Sequence, residues 1–334
     1  MPDEGIKMKL EKIGFYSLSD KRAKNVSWRS DLWRCELLLT HKCNFNCVYC
    51  RGIKPELQQE LKLYQAKEII SKWKNNNLHN IRFSGGEPTL WQHGGLLDLV
   101  KFTRKTNPNM EHIAISTNGS ASLEYYFTLH DAGVNDFSIS LDGCCSSTAN
   151  KMSGVNCQFA HISNVIYQLS KITYLSVGIV LNENNIEELE KTIKYATSLG
   201  ASDIRIISAA QSNCKINLGI KTNYPILNYR LRNLKRGVRG LQESDCHKCH
   251  LVKDDMAIVA GKHFPCIIFL REGGKEIGNV YGKSIEEIRE ERKAWFDTTN
   301  TYENEICRKN CLDVCVEYNN RVRELSENKT EVTK

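Results

Sequence analysis

Three cysteines in one short segment are the residues of this sequence best suited to chemistry. Cys43, Cys47 and Cys50 are separated by three and then by two residues, in the run Leu-Thr-His-Lys-Cys-Asn-Phe-Asn-Cys-Val-Tyr-Cys. Three thiolates at this spacing can bind three irons of a [4Fe–4S] cube and leave the fourth iron without a protein ligand. A closed zinc site or an electron-transfer cluster would need a fourth ligand, and no further cysteine follows until Cys144. We therefore expect a cluster with one open, reactive iron.

A second motif follows on the next predicted strand. The cysteine segment comes after an apolar run at 35–40, and Ile-Arg-Phe-Ser-Gly-Gly-Glu-Pro at 81–88 is another strand that ends in paired glycines. Glycines let a backbone approach a ligand closely, and Glu87 offers an acceptor for an ammonium group. With Tyr49 just before the third cysteine, the two motifs together resemble those of the radical S-adenosylmethionine (SAM) enzymes. This resemblance covers most of the chain.

The resemblance implies a definite chemistry. In that family the amino and carboxylate groups of SAM chelate the open iron, and an electron from the cube breaks a carbon–sulfur bond to give methionine and a 5′-deoxyadenosyl radical. The radical then takes a hydrogen atom from the substrate. The electron comes from an external donor such as flavodoxin or ferredoxin.

The same resemblance assigns further residues to SAM. The paired glycines and Glu87 would line its methionine end, and two later strand ends, 115–119 and 139–143, would touch its ribose and carboxylate. A strand at 177–182 would pack against the adenine and ribose. Ordinary loop capping is the alternative role for the polar residues of this set. The expected contacts are Tyr49, Gly85, Gly86, Glu87, Asn118, Ser140 and Val180.

Strand-like and helix-like segments alternate from residue 34 to about 208, which predicts a parallel sheet with helical crossovers. Resemblance to the family sharpens this α/β class to a partial (β/α)6 TIM-like barrel, in which the carboxyl ends of the strands carry the chemistry. The predicted strands are 34–40, 79–84, 111–116, 134–141, 173–181 and 203–208, and the predicted helices are 63–77, 94–106, 121–132, 158–171 and 185–199.

Length and composition agree with a globular enzyme. The chain has 334 residues, of which 41% are hydrophobic and 25% charged, so it can bury a large core. It has no signal-peptide pattern and no apolar run near the ~20 residues of a membrane span, so we expect a cytoplasmic protein. Fourteen cysteines in that reducing compartment favour metal binding over disulfides.

A second group of cysteines lies in the last quarter of the chain. The spacing of Cys249, Gly261 and Cys266 resembles the start of the SPASM and Twitch auxiliary-cluster domains of radical SAM enzymes. Alternatively, Cys246, Cys249 and Cys266 supply three ligands, as in the molybdenum-cofactor biosynthesis cyclase, which the chain also resembles in its first motif. We expect one auxiliary [4Fe–4S] cluster here. The candidate ligands are Cys246, Cys249, Cys266, Cys307, Cys311 and Cys315.

Spacing leaves the auxiliary ligands open. Four thiolates would make a cluster able to accept an electron from the substrate, whereas three would leave an iron able to bind the substrate. A structural zinc site is the alternative, because four thiolates suit zinc equally well. A helix over 305–325 would place the last three thiols on one face, and a hairpin over 257–270 would bring two others together.

The predicted organisation has three parts: a radical SAM core at 30–208, a basic connector at 209–245 and an auxiliary iron–sulfur domain at 246–325. The connector contains a short helix at 225–236. From Ile204 to Gln242 there are eight basic residues and no acidic ones, against a net charge of +7 for the chain. We expect the first thirty residues and the last ten to be loosely packed.

The remaining cysteines have no metal-ligand spacing and are expected to be small buried hydrophobes. One of the adjacent pair after the fourth strand, near the barrel mouth, is a candidate hydrogen-atom donor. These cysteines are Cys35, Cys144, Cys145, Cys157 and Cys214.

Uncompensated positive charge near the opening favours a small anionic or nucleotide-like substrate. Modification of a ribosomal peptide is the alternative, but only 42 residues precede Cys43, which we expect to be too few for a leader-binding domain. A non-catalytic iron–sulfur or zinc module is a third possibility, and it would leave the Gly-Gly-Glu loop unexplained. No membrane partner is expected, and the sequence leaves the oligomeric state open.

Overall fold

The computed structural model describes residues 6–16, 18–74, 77–156, 158–209, 219–234 and 236–332. Within these residues nine strands form one sheet. The strands are β1 (Arg34–Thr40), β2 (Asn80–Gly85), β3 (His112–Thr117), β4 (Asp136–Ser140), β5 (Tyr174–Leu181), β6 (Asp203–Ser208), β7 (Asp255–Val259), β8 (Lys262–Phe264) and β9 (Gly278–Asn279).

Helices connect the parallel strands and follow the last one. In the described residues they are α1 (Asp20–Asn25), α2 (Leu63–Lys72), α3 (Gly95–Thr106), α4 (Leu123–Asp131), α5 (Ser146–Ser153), α6 (Phe159–Leu169), α7 (Leu189–Ser198), α8 (Pro225–Asn233), α9 (Ile267–Arg271), α10 (Ile285–Thr298), α11 (Glu305–Asn310) and α12 (Asp313–Val332).

The strand order is β6-β5-β4-β3-β2-β1-β7-β8-β9. Every pair from β6 to β7 is parallel, and the pairs β7–β8 and β8–β9 are antiparallel. Because strands β1 to β6 follow one another in space as in sequence, with helices between them, the predicted α/β partial (β/α)6 barrel is confirmed. Strand β7 extends the sheet on the far side of β1.

Strand β1 shows why these residues form a buried sheet. All seven of its residues are buried, as expected for a parallel strand covered on both faces. Cys35, Leu37 and Leu39 pack into the core that the crossover helices cover, while Leu38 belongs to a separate cluster with β7 and β8. Glu36 also faces away from the crossover helices and accepts a hydrogen bond from Ser84 Oγ at 2.8 Å. The alternation gives one face of the sheet to the helices and the other to the barrel interior.

Helix α5 was not predicted. Its sequence, Ser-Ser-Thr-Ala-Asn-Lys-Met-Ser, is rich in residues whose side chains compete for backbone hydrogen bonds. Only Thr148 and Met152 of this helix are buried, so it lacks a strong apolar period. Predicted helices elsewhere also end early: α2 stops at Lys72 and α8 at Asn233.

One prediction for the C-terminal region is confirmed in part and another is wrong. The hairpin predicted over 257–270 exists as the antiparallel pair β7–β8, but it ends with β8, and α9 begins at Ile267. The single helix predicted over 305–325 is two helices, because α11 ends before Cys311 and α12 starts at Asp313. The last three cysteines therefore do not share one helix face.

Part of the N-terminal segment, from Ile13 to Tyr16 and at Arg22, is packed rather than loose, which corrects the expectation for these residues. Phe15 and Tyr16 are buried, and Arg22 of α1 forms an ion pair with Asp254 at 2.8 Å. At the other end of the chain α12 extends to Val332. None of the helices in the described ranges has both the length and the apolar character needed to cross a membrane.

Candidate active site

The segment after β1 brings its three cysteines to one cavity of about 180 Å³, which we call the loop cavity. It lies at the carboxyl ends of β1 to β4. Of the residues predicted to contact SAM, Tyr49, Gly86, Glu87, Asn118 and Ser140 line it together with Cys43, Cys47 and Cys50. Gly85 and Val180 are absent from its lining.

The two glycines after β2 carry the backbone that meets the cysteine segment. Gly86 N donates to Thr40 O at 2.6 Å, and Glu87 N donates to Lys42 O at 2.7 Å. A Cβ atom on Gly85 or Gly86 would overlap the backbone of Thr40 or Lys42, and Gly85 has a φ of +143°. These glycines therefore allow contact between two protein loops, and Gly86 also faces the cavity.

The carboxylate of Glu87 is fixed by its neighbours. It accepts hydrogen bonds from Thr89 Oγ1 and Thr117 Oγ1, both at 2.7 Å, and from Asn118 N at 2.7 Å. Burial raises the pKa of Glu87, although these hydrogen bonds act against that shift. Glu87 thus joins the loop after β2 to the loop after β3, and Asn118 continues the chain of contacts by donating to Asn44 Oδ1 at 2.8 Å.

Asp142 is a site residue that the sequence analysis did not select. Its carboxylate accepts from Tyr49 Oη at 2.5 Å and from Val180 N at 2.7 Å, and burial raises its pKa to about 6. It therefore ties the cysteine segment to β5. The sequence feature that could have identified it is the Ser-Leu-Asp-Gly run at the end of β4, in which a charged residue follows a buried strand.

Helix α5 supports the cysteine segment from the other side. Asn46 N donates to Ser153 O at 3.0 Å, and Val48 N donates to Met152 O at 3.1 Å. Ala149, Asn150 and Ser153 also line the loop cavity. The end of α5 therefore sets the path of the backbone between the first and third cysteines.

A larger cavity of about 260 Å³ occupies the barrel interior, and we call it the central cavity. Ser116 and Ser140 line both the central and the loop cavities, so the two adjoin. Val180 lines the central cavity, and so do Phe15 and Tyr16. The N-terminal segment thus supplies part of the wall, a role that no sequence signal indicated.

Two arginines in this wall lack acidic partners. The Nε atoms of Arg82 and Arg205 have no hydrogen-bond partner, and within the described residues no carboxylate lies within ion-pair distance of either guanidinium. Arg82 lies 3.7 Å above the ring of Phe15. Burial and the charge of Arg205 lower the pKa of Arg82. Arg205 donates to Ser138 Oγ.

Three basic residues of the predicted connector are paired with acids, so the stretch is less uncompensated than expected. Arg230 pairs with Asp313 and Arg236 with Asp245. Arg239 lies 3.6 Å from a carboxylate oxygen of Glu272. These ion pairs could not be predicted from the sequence, because the acidic partners lie outside the basic stretch. Lys215 and Lys235 lie outside the described residues.

The C-terminal cysteines gather around a third cavity of about 30 Å³, the cysteine cavity. Its remaining lining is largely apolar and includes Trp295 and Phe269. Five of the six candidate ligands lie at this cavity and one does not. Cys249, Cys266, Cys307, Cys311 and Cys315 line the cavity, whereas Cys246 does not.

The distances between the sulfur atoms limit whether these thiols can bind a single metal ion. A zinc–sulfur bond of about 2.3 Å keeps two ligand sulfurs of one ion within about 4.6 Å. Among the described residues, no three thiols of the cysteine cavity or of the loop cavity lie mutually within 4.8 Å. Neither set of thiols therefore has the compact arrangement of a single-ion site.

The central cavity also adjoins the cysteine cavity. Cys266 and Cys315 line both. Arg271, at the end of α9, donates to Gly52 O at 2.8 Å and to Gly85 O at 2.7 Å. The C-terminal region thus holds the two loops that form the loop cavity, a contact that sequence spacing could not reveal.

The remaining cysteines behave differently from one another. Cys35 is fully buried, as expected. Cys144 and Cys145 are partly exposed and line none of the three cavities, so the structure does not place a hydrogen-atom donor there. Cys157 and Cys214 lie outside the described residues.

Comparison with known proteins agrees with this geometry. Residues 37–196 match the Radical SAM superfamily. A probable GTP 3′,8-cyclase from Saccharolobus islandicus is 28% identical over 174 residues, which make up 51% of this chain and 55% of that relative. The chain thus spans about half the length of the curated relatives that it matches.

Solved structures share the fold over more of the chain. SuiB from Streptococcus suis, bound to precursor peptide SuiA, has a TM-score of 0.59 at 15% identity, covering 83% of this chain and 67% of that one. The anSMEcpe structure with bound AdoMet and Kp18Cys peptide has a TM-score of 0.55 at 15% identity, covering 90% of this chain and 99% of that one. Residues 37–196 of this chain are therefore a radical SAM domain.

Proposed function

We propose that this chain uses Cys43, Cys47 and Cys50 to hold a [4Fe–4S] cluster, binds SAM in the loop cavity and acts on an anionic substrate in the central cavity. A radical SAM domain implies the cluster and SAM. When bound, they supply reductive cleavage of SAM and abstraction of a hydrogen atom from the substrate. The three thiols fit a cube because they share one cavity without the close spacing of a single-ion site.

The chain's own residues orient the methionine end of SAM. Gly86 lets its loop pack against Lys42 while it lines the cavity, and the Glu87 carboxylate is held in place by Thr117 and Asn118. Asp142 positions Tyr49 beside the cysteines. These contacts fix the cavity before ligand binds, which lowers the ordering cost of binding.

The observation that carries the proposal is that the loop cavity and the central cavity adjoin. Ser116 and Ser140 separate a space next to the three cysteines from the larger space inside the barrel. A substrate in the central cavity therefore lies next to SAM in the loop cavity. Hydrogen transfer needs this proximity, because reacting atoms must come within about 3–3.5 Å.

The charge of the central cavity favours an anion. Within the part of the chain that the structure describes, Arg82 and Arg205 have no carboxylate at ion-pair distance, although Glu36 also lines the cavity and acts on Arg82 at longer range. A guanidinium in such a confined space is stabilised when it binds a carboxylate or phosphate. We propose a small anionic or nucleotide-like substrate, with oxidation or rearrangement as the outcome. The curated relatives named probable GTP 3′,8-cyclase make nucleoside triphosphates the first class to assay.

We further propose that the cysteine cavity holds one auxiliary [4Fe–4S] cluster. The five thiols around it exceed the four that a closed cube needs, and Cys246 is the candidate left out. Among the described residues no three of these thiols lie within 4.8 Å of one another, which supports a cube over the alternative of zinc. Because Cys266 and Cys315 also line the central cavity, a cluster there would lie beside the substrate. Residues 246–325 would then act as an auxiliary unit on the radical SAM core, with 209–245 as connector.

The test is anaerobic reconstitution with iron and sulfide, followed by incubation with SAM and a reductant. Flavodoxin or ferredoxin is the proposed natural donor, and dithionite can replace it. We expect 5′-deoxyadenosine, with faster release when a correct anionic substrate is present. Reconstituted protein that binds no iron or cleaves no SAM would contradict the proposal.

Modification of a ribosomally made peptide is the second candidate. It is favoured because SuiB and anSMEcpe, whose structures contain peptides, share the fold over the C-terminal region as well. Deuterium transfer from labelled substrate to 5′-deoxyadenosine separates the two candidates. Transfer from a nucleotide or other small anion supports the first, and transfer only from peptides supports the second.

A further inference from the structure

A pair of adjacent thiols and a carboxylate meet outside the three cavities. The ligand atoms of Cys144, Cys145 and Glu188 all lie within 4.8 Å of one another, and no other group of three such ligands among the described residues is as compact. None of the three residues lines the loop, central or cysteine cavity. The proposed radical chemistry therefore makes no use of them.

We propose that Cys144, Cys145 and Glu188 bind one thiophilic divalent metal ion, best matched by zinc. Zinc takes thiolate ligands at about 2.3 Å and carboxylate oxygens at about 2.0–2.2 Å, so its ligands lie within about 4.6 Å of one another, close to the separation seen here. Magnesium and calcium prefer oxygen ligands alone. A water molecule would complete a tetrahedral site. This inference goes beyond the proposed function and does not depend on it.

The carboxylate is already oriented for this role. Thr148 Oγ1 donates to Glu188 Oε2 at 2.5 Å, and Cys144 Sγ lies 3.8 Å from the same oxygen. Thr148 is buried, so its hydroxyl is held in place. A hydrogen bond to a metal-binding carboxylate from a second residue is what orients such ligands in metal sites generally.

The two loops that supply the ligands are fixed to each other. The thiols follow β4, and Glu188 follows β5. Asn185 Nδ2 bridges the loops by donating to Asp142 O at 2.9 Å and to Val180 O at 2.8 Å. The group is therefore preorganised by contacts independent of the proposed ion.

The position of the group gives it a consequence for the active site. Helix α5 begins directly after Cys145, and its last residues accept the hydrogen bonds of Asn46 N and Val48 N in the cysteine segment. A metal ion at the start of α5 would fix the helix that supports this segment. We expect zinc to raise the thermal stability of the iron-loaded protein.

The experiment uses the full chain with its iron loaded. Anaerobic protein is mixed with zinc, separated by gel filtration and analysed for iron and zinc, and affinity is measured by competition with a chromophoric chelator. We expect wild type to keep one more zinc per chain than the double variant Cys144→Ser/Cys145→Ser, at equal iron content. Equal zinc in the two proteins would overturn the proposal.

Two further variants test the carboxylate without removing a thiol. Glu188→Gln should weaken zinc binding by at least about tenfold, and Thr148→Val by about 10- to 100-fold through loss of the orienting hydroxyl. Glu187→Gln is the matched control, because Glu187 is adjacent and exposed, and its affinity should equal that of wild type. If Glu188→Gln and Glu187→Gln bind zinc equally, the carboxylate has no such role and the site as proposed is wrong.

Discussion

Two regions of this molecule gather thiols in different ways. The loop cavity takes three from one segment, between Cys43 and Cys50, and has about 180 Å³ of space lined partly by polar residues. The cysteine cavity takes five from separate elements, between Cys249 and Cys315, and has about 30 Å³ lined largely by apolar residues. The first has room for a ligand beside its thiols, whereas the second has little free space. If both hold the proposed clusters, the space around the thiols, more than their number, distinguishes a reactive site from a supporting one.

The sharpest test of this difference is Cys47→Ala. Removing one of three thiolates should abolish SAM cleavage, because a cube held at two corners is lost or mispositioned. Release of 5′-deoxyadenosine from the reconstituted variant measures the effect. Cys246→Ala, outside both cavities, is the control and should retain activity. A Cys47→Ala protein that still cleaves SAM would remove the loop cavity from its proposed role.

The second test is Cys266→Ala. We expect some SAM cleavage to remain and about four irons per chain to be lost, if the cysteine cavity holds a cube. Iron and sulfide analysis after reconstitution measures the loss, again with Cys246→Ala as control. Unchanged iron would point to zinc or to an empty site in this region.

The third test concerns the space between the two regions. Arg82→Gln should raise KM for an anionic substrate by about tenfold to a hundredfold, since a hydrogen bond to a charged group contributes about 1.5–3 kcal/mol. SAM cleavage without substrate should be unchanged. Arg232→Gln, at an exposed position of the basic stretch, is the control. An equal KM in both variants would show that the substrate does not use Arg82.

The smallest effect is expected for Arg271→Gln. Its two hydrogen bonds to Gly52 O and Gly85 O connect the C-terminal region to the loop cavity, and losing them should destabilise the protein by about 1–3 kcal/mol. Lower affinity for SAM, measured by equilibrium dialysis with the iron-loaded protein, should accompany the lower melting temperature. Exposed Lys275 changed to Gln is the control. A variant with unchanged SAM affinity would show that the two regions act independently.

The sequence analysis succeeded where the signal is local. The three cysteines lie in one loop, so their spacing alone fixes which atoms can meet. Strands such as β1 and β6 match the predicted 34–40 and 203–208, because buried parallel strands are short apolar runs between breaks. The Gly-Gly-Glu loop lies against the cysteine segment because it ends the neighbouring strand.

Features that depend on distant packing were missed. Phe15 faces the central cavity only because the N-terminal segment folds against Arg34 and Arg82. Arg230 reads as an uncompensated charge until α12 brings Asp313 to it. Helix α5 forms through its contacts with the cysteine segment rather than through its own propensity. Neither the hydrophobic periodicity nor any sequence motif predicts these contacts.

The pairing of β1 with β7 has a consequence for biosynthesis. Strand β1, which leads into the three cysteines, lies between β2 and β7, and Arg34 pairs with Asp255 at 2.6 Å. During synthesis, the edge of β1 that pairs with β7 stays unpaired until residue 259 has been added to the chain. Contacts so far apart in sequence form late. Iron delivery before β7 has been synthesised would therefore meet a ligand loop whose preceding strand, β1, still lacks one of its two partners.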